Sequence, residues 1–369
     1  MMKVPLLDLK PQYAQIKDQV IPEIMDTIEN QAFILGPKVS KLEAKMAEYI
    51  GTSYTIGCSS GTDALILALM AVDVGPGDEV ITTPYTFFAT AGAIHRVGAR
   101  PVFVDIDPAS YLIDVKKIEA AITPKTKAIM PVHLFGQCVD MDPLMEIARK
   151  HNLKVIEDAA QAIGARYKGK NAGQVGDLGC FSFFPSKNLG CFGDGGLVST
   201  NSKELYDRII GLRVHGGIVQ YHHQEVGLNA RIDALQAAVV AVKLPHLAGW
   251  TEGRRRNAAM YNEMFKNNPK VIKPVELADR YHIFNQYVIR VEKRDELKNY
   301  LTEKEIGCSI YYPLSLHQQK CFSYLNYRQG DFIESEKAAD STIALPIYPE
   351  LSKEQIEFVG QTVNEFTTR

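Results

Sequence analysis

A mainly parallel, mixed α/β sheet in a large domain, followed by a smaller C-terminal α/β domain, is the fold class predicted for this 369-residue chain. Three features predict it. Between about residues 55 and 200, short β-branched runs alternate with longer helical ones, the pattern of strands covered by helices. A long apolar-periodic stretch from Arg231 is then interrupted by Pro245, whose missing N–H must kink or split the helix. Beyond it, further strand-like runs flank one more helix.

The strand candidates in order are EVITTP at 79–84, RPVFVDI at 100–106, KAIMPVHL at 127–134, LKVIEDAA at 153–160, LGCFSFF at 178–184 and GGLVST at 195–200. Helical periodicity covers 62–73, 87–98, 142–152 and 203–214. The turn Gly75-Pro76-Gly77-Asp78 and the pair Asp107-Pro108 punctuate them. Pro245 sets the expected boundary between a domain of residues 1–245 and one of 246–369. In the second, NQYVIRVE (285–292) and CSIYYPL (308–314) read as strands around a helix near 294–305, and Arg254, Arg255 and Arg256 read as a solvated helix face.

Hydrophobic residues make up 46% and charged residues 23%, the balance of a soluble globular chain, which rules out disordered and collagen-like classes. The 41 basic residues nearly cancel the 43 acidic ones, so no global basic field draws nucleic acid or anionic lipid. The N-terminal apolar patch is broken by Pro5, Asp8 and Lys10, too short for a signal-peptide core, and no window reaches the length of a membrane span. A cytoplasmic location is expected. The six cysteines show no C-x-x-C pair and read as reduced, buried small hydrophobes, neither zinc ligands nor bridges, so no metal is expected.

The most informative stretch is CFSFFPSKNLGCFGDGG, residues 180–196, where an apolar strand runs into Lys187 and a Gly-rich turn. A lysine there stands at a strand's C-terminal end, where open α/β sheets bind ligands, although a lone lysine is usually a solvated one. Asp158 directly follows Leu153–Glu157; it reads either as a helix N-cap or as the carboxylate partner of a protonated pyridine ring. Ser59-Ser60-Gly61-Thr62 opens an apolar helix, a plain cap or a phosphate site built on unpaired N–H groups. Phe87, just after a strand, is core or an aromatic plate for a cofactor ring. A plate, a phosphate turn, a carboxylate and a lysine at successive strand ends are together what a pyridoxal phosphate (PLP) enzyme requires.

The chain resembles the nucleotide-sugar aminotransferases of the fold-type I PLP-dependent transferases, the DegT/StrS group. The likeness runs through VPLLDLKPQY, FILGPKVSKLEAKMAEYIG, CSSGTDAL, GPGDEVITTPYTFFAT, PVHLFGQCVDMDPL, VIEDAAQAIGA, FSFFPSKNLGCFGDGG, GLNARIDALQAA and YYPLSLH. It implies that Lys187 forms a Schiff base with PLP, that Asp158 holds the ring nitrogen protonated, that Gln161 meets the ring face or its O3′ side, and that Phe87 stacks on the ring. Gly61, Thr62 and Ser182 would hold the phosphate, with Asn229 reaching in from a second subunit, so the implied unit is a homodimer with shared active sites. Arg231, His223, Tyr311 and Tyr312 match segments that border the sugar. Two departures touch the substrate side: Tyr311-Tyr312 stands where many relatives carry His-Tyr, and Ile163 where a His is frequent. The implied activity moves nitrogen from glutamate or glutamine to a keto carbon, C3 in preference to C4, of a UDP- or dTDP-sugar in surface-polysaccharide or amino-sugar biosynthesis. A noncatalytic PLP-bound regulator is the rival from another class.

Overall fold

The computed structural model describes residues 2–217, 219 and 221–368. At its centre lie seven strands: β1 (Tyr54–Cys58), β2 (Glu79–Thr82), β3 (Arg100–Phe103), β4 (Thr126–Ile129), β5 (Lys154–Asp158), β6 (Leu178–Ser182) and β7 (Gly196–Thr200). Their spatial order is β1-β7-β6-β5-β4-β2-β3. Strands β2 to β6 pair in parallel, whereas β7 is antiparallel to both β6 and β1. It follows that β1 points the same way as β6, and the carboxyl ends of β1, β2, β5 and β6 share one edge of the sheet.

Strand alternation loads both faces. Val155, Phe181 and Leu197 enter one apolar cluster, and their neighbours Ile156, Cys180 and Val198 enter another on the opposite side. The helix Gly61–Ala71 packs Leu65, Leu67 and Leu69 into the second cluster, and Met141–Lys150 packs Met141 and Leu144 into the first. Each expected strand of this sheet is present, and all but the last stop before the apolar run does: 79–84 ends at Thr82, 127–134 at Ile129 and 178–184 at Ser182, whereas 195–200 runs to Thr200. The residues beyond leave the ladder and form the loops over the sheet edge.

Pro245 splits the long helical stretch as expected, into Ala234–Lys243, a 3-10 turn Leu244–His246 and Leu247–Met264. Further on, β8 (Tyr287–Arg290) and β9 (Thr342–Leu345) form an antiparallel pair covered by the helices Arg294–Glu303 and Lys353–Thr368. Their apolar residues meet Tyr261, Phe265 and the N-terminal Val4 in a separate cluster.

Three expectations are corrected here. Residues 308–314 form no strand; a single bridge, Ser309 to Ala344, is all that pairs, because the chain turns away toward the edge of the main sheet and Pro313 has no N–H to donate. Arg254 is not solvated: it is 4% exposed and donates to the carbonyls of Phe284, Asn285 and Ile347, tying the helix Leu247–Met264 to two loops. Cys321 is exposed and Cys308 half-buried, whereas the other four cysteines are buried, and all six are free thiols. Among the described residues, no helix is long and apolar enough to cross a membrane, and no cluster of His, Cys, Asp or Glu is arranged to hold a metal.

Candidate active site

The loop after β1 builds an anion cradle. Ser60 caps the helix Gly61–Ala71, its Oγ accepting the Asp63 N–H at 3.0 Å, while the Asp63 carboxylate accepts the Ser59 and Ser60 hydroxyls. Helix geometry leaves the N–H groups of Gly61 and Thr62 without intrahelical partners. Gly61 backs onto the end of β6, so that a Cβ there would stand 2.6 Å from the Cβ of Ser182. Gly196, opposite Cys58, would place one 2.3 Å from the Ser60 carbonyl oxygen. Only glycine allows these backbones to approach, and the approach brings Gly61, Thr62 and Ser182 together.

Strand β5 carries two adjacent acids that the pleat sends to opposite faces. Asp158, 5% exposed, accepts the Thr90 hydroxyl at 2.8 Å through Oδ2 and the Ala160 N–H at 3.2 Å through Oδ1. The turn that follows is not helical, so the N-cap reading of Asp158 does not apply. Burial raises the pKa of its carboxyl, resisted by Thr90, the Ala160 N–H and the positive charge of Lys187. Glu157, fully buried, accepts the N–H groups of Gly173, Val175 and Gly176 and lies 2.7 Å from His133 Nε2. Because His133 Nδ1 accepts the Val139 N–H, the ring proton sits on Nε2 and is donated to Glu157.

The loop after β6 folds back on itself. Lys187 N–H bonds the Phe184 carbonyl, Cys191 N–H bonds the Phe183 carbonyl, and Gly190 lies so close that a Cβ would be 2.4 Å from the Pro185 carbonyl oxygen. From behind, the buried amine of Lys243 donates to the Gly190 carbonyl at 2.6 Å and stands 4.8 Å from the Phe192 ring centre. Burial pushes the Lys187 amine down to about 8, against the opposing pull of the Asp158 charge.

Aromatic residues wall the far side. Gln161 accepts the Phe135 N–H at 2.8 Å and donates to the Tyr312 hydroxyl at 2.9 Å. The Tyr312 ring lies 6.2 Å from both Phe87 and Tyr85, and the Tyr85 hydroxyl bonds the Tyr311 carbonyl. Phe87 is 56% exposed, so its face is open to a second ring and the core reading does not hold.

Of the residues singled out in the sequence, Lys187, Asp158, Gly61, Thr62, Ser182, Phe87, Gln161 and Tyr312 thus come to one edge of the sheet. Tyr311 takes part through its backbone carbonyl. Asn229 is exposed and Arg231 half-buried, both beside the end of β1, where Ser59 N–H bonds the Ala230 carbonyl. His223 is exposed, with Nδ1 3.0 Å from the His215 carbonyl of its own loop. Among the described residues, no side-chain hydrogen bond or ring contact ties these last three to the Lys187 group. Sequence reasoning missed Thr86, Thr90, His133, Glu157 and Lys243. The four-residue spacing of Thr86 and Thr90 was the one local signal for any of them.

Comparison with known proteins gives the site its context. The family model described as the DegT/DnrJ/EryC1/StrS aminotransferase family matches residues 14–364. A "Pleiotropic regulatory protein" of Geobacillus stearothermophilus is 50% identical over 367 residues, covering 99% of each chain. A UDP-N-acetyl-3-dehydro-alpha-D-glucosamine 3-aminotransferase of Acidithiobacillus ferrooxidans is 45% identical over 360 residues, 98% of this chain and 97% of the relative. The crystal structure of DesV from S. venezuelae, in complex with a ketimine intermediate, superposes over all of both chains with a TM-score of 0.98 at 38% identity. Other similar structures were solved with bound pyridoxamine phosphate or in a PLP form. With near-complete coverage in sequence and in structure, the chain belongs to the DegT/DnrJ/EryC1/StrS aminotransferase family.

Proposed function

We propose that the protein is a PLP-dependent aminotransferase that moves nitrogen from glutamate or glutamine to the C3 keto carbon of a UDP- or dTDP-linked sugar. The observation that carries this reading is the convergence on one sheet edge of Lys187 and Ser182 from the end of β6, Asp158 from β5 and Gly61 from the end of β1. The residues fit the cofactor. Asp158 is a buried carboxylate with no Lys or Arg hydrogen-bonded to it among the described residues, which suits a group that brings its own N–H⁺. The cradle suits a phosphate, and the open face of Phe87 suits a flat ring.

When bound, PLP supplies an aldehyde that joins amines and a protonated ring that takes up the electron pair left by a departing proton. Lys187 is the amine that holds the aldehyde and, once displaced by an amino donor, the base that carries the proton between carbons. An arginine serves neither purpose, since its guanidinium stays charged. Asp158 keeps the ring nitrogen protonated, and Gln161 and Phe87 orient the ring. Gly61, Thr62 and Ser182 hold the phosphate, with Asn229 contributed by a second copy of the chain. Arg231, His223, Tyr311 and Tyr312 border the sugar.

The C3 preference is supported by the 3-aminotransferase among the relatives. The name of the Geobacillus relative favours a second reading, a PLP-bound regulator; the intact lysine and carboxylate speak for catalysis. The deciding experiment adds 3-keto and 4-keto nucleotide sugars to the pyridoxamine form and follows recovery of PLP absorbance. Recovery with the 3-keto sugar is expected. Recovery with the 4-keto sugar alone would move the reaction to C4, and recovery with neither would favour the regulator. Lys187→Ala should lose both turnover and borohydride-trapped cofactor, and retained turnover would refute the role of Lys187.

A further inference from the structure

We infer that Thr90, backed by Thr86, is the positioning residue that keeps Asp158 ionised and aimed at the cofactor's ring nitrogen. The inference rests on the role proposed above for Asp158 and adds to it the residues that make that role possible.

The geometry fixes the direction of the hydrogen bonds. An ionised carboxylate only accepts, so the proton between Thr90 Oγ1 and Asp158 Oδ2, 2.8 Å apart, belongs to Thr90. Thr90 Oγ1 is then free to accept from Thr86 Oγ1, 3.1 Å away. Thr86 is 2% exposed and Thr90 fully buried, so water does not compete for either hydroxyl. The result is a relay that runs one way, from Thr86 through Thr90 to the carboxylate, and each donor strengthens the next. The ionisable groups facing Asp158 are Lys187, His133, Tyr312 and Cys180, and none of them hydrogen-bonds its carboxylate among the described residues. Among the described residues, the single donor to that carboxylate besides Thr90 is the Ala160 N–H, at 3.2 Å. Without Thr90 the carboxyl would be a buried group held by one long hydrogen bond, and protonation would become its cheaper state. A protonated Asp158 cannot keep a proton on the ring nitrogen opposite it.

The relay also joins two parts of the site. Thr86 and Thr90 bracket Phe87, so one short segment presents the ring's apolar plate and locks the acid on which the ring depends.

The test compares folded holoenzyme of the wild type, Thr90→Val, Thr90→Ser, Thr86→Val and Asp158→Asn, each loaded with PLP labelled with ¹⁵N in the ring. Valine keeps the β-branched shape and removes the hydroxyl, with its donation to Asp158 and its acceptance from Thr86. In Thr90→Val the ¹⁵N shift should move toward the unprotonated value and kcat should fall tenfold or more, with KM for the keto sugar within twofold. Thr90→Ser should restore both the shift and kcat to within threefold of wild type, and Thr86→Val should show a smaller change in the same direction. A wild-type shift and kcat in Thr90→Val would overturn the inference. Should Thr90→Val fail to fold, an unchanged shift and kcat in Thr86→Val would overturn it instead. Asp158→Asn separates the two levels: if it too keeps the nitrogen protonated, the role of Asp158 itself falls, whereas loss in Asp158→Asn alone removes only Thr90.

Discussion

Lys187 shows how one side chain is prepared by its surroundings. Its amine sits at about 8 because burial penalises the charged form more than Asp158 can favour it. Only the neutral amine attacks an aldehyde, so uptake of PLP by the apoprotein should speed up with pH and level off just above 8. Stopped-flow absorbance between pH 6.5 and 10 measures this; a midpoint near the ordinary lysine value of 10.5 would show that the amine is not depressed. The sign for stability follows from the same shift. Between about 8 and 10.5 the unfolded chain holds a proton that the folded site has released, so Lys187 makes the apoprotein more stable as pH rises through that window.

Among the elements, β5 does the most, because its pleat separates the acid on the Lys187 side from a structural one. Glu157 points away from Asp158 and gathers His133 and three backbone N–H groups from Gly173, Val175 and Gly176, pinning the loop before β6. Burial raises its carboxyl pKa, but these donors outweigh burial and leave it lowered. Glu157→Gln turns an NH₂ toward N–H donors and should cost about 3 kcal/mol in chemical denaturation. A lowered folded-state pKa means that the stabilisation is present above the unfolded value and is lost as pH falls through the folded one. The gap between wild type and Glu157→Gln should therefore close on acidification, and a gap independent of pH would argue against an ionised Glu157. The strand itself was legible in LKVIEDAA because a buried strand is a short apolar run. What Glu157 binds on the opposite face was not, since that depends on which loops cover that face of the sheet.

At the scale of the whole molecule, one set of exposed apolar side chains reaches the loop that carries Lys187. Tyr13, Ile21 and Met25 on the helix Lys10–Glu29, then Phe33, Ile34, Phe87, Phe184 and Phe192, are all more than a third exposed. The Tyr13 ring stands 6.1 Å from that of Phe192, so the helical surface continues onto the loop that carries Lys187. A surface of this kind is what the second copy of the chain proposed above would cover. Light scattering should give twice the chain mass, and Asn229→Ala should weaken PLP binding about tenfold while leaving cofactor trapped on Lys187. Mixed dimers of Lys187→Ala and Asn229→Ala should regain one whole site. If Asn229 served its own chain, no mixture would recover activity.

What the sequence by itself determined was local: the strands β2 to β7 of the main sheet, the Pro245 break, the cap at Ser60, and the motifs that put Lys187, Asp158 and Gly61 at strand ends. Hydrophobic period and turn chemistry act over a few residues, so they are written in contiguous text. What only the tertiary structure decided was every bond across the sheet's loops. Thr90 meets Asp158 across 68 residues, Gln161 meets Tyr312 across 151, and Lys243 reaches Gly190 across 53. Arg254 is buried rather than solvated because two loops converge on its helix. Such pairs depend on strand order and crossover packing, which bring together side chains that carry no local mark of one another.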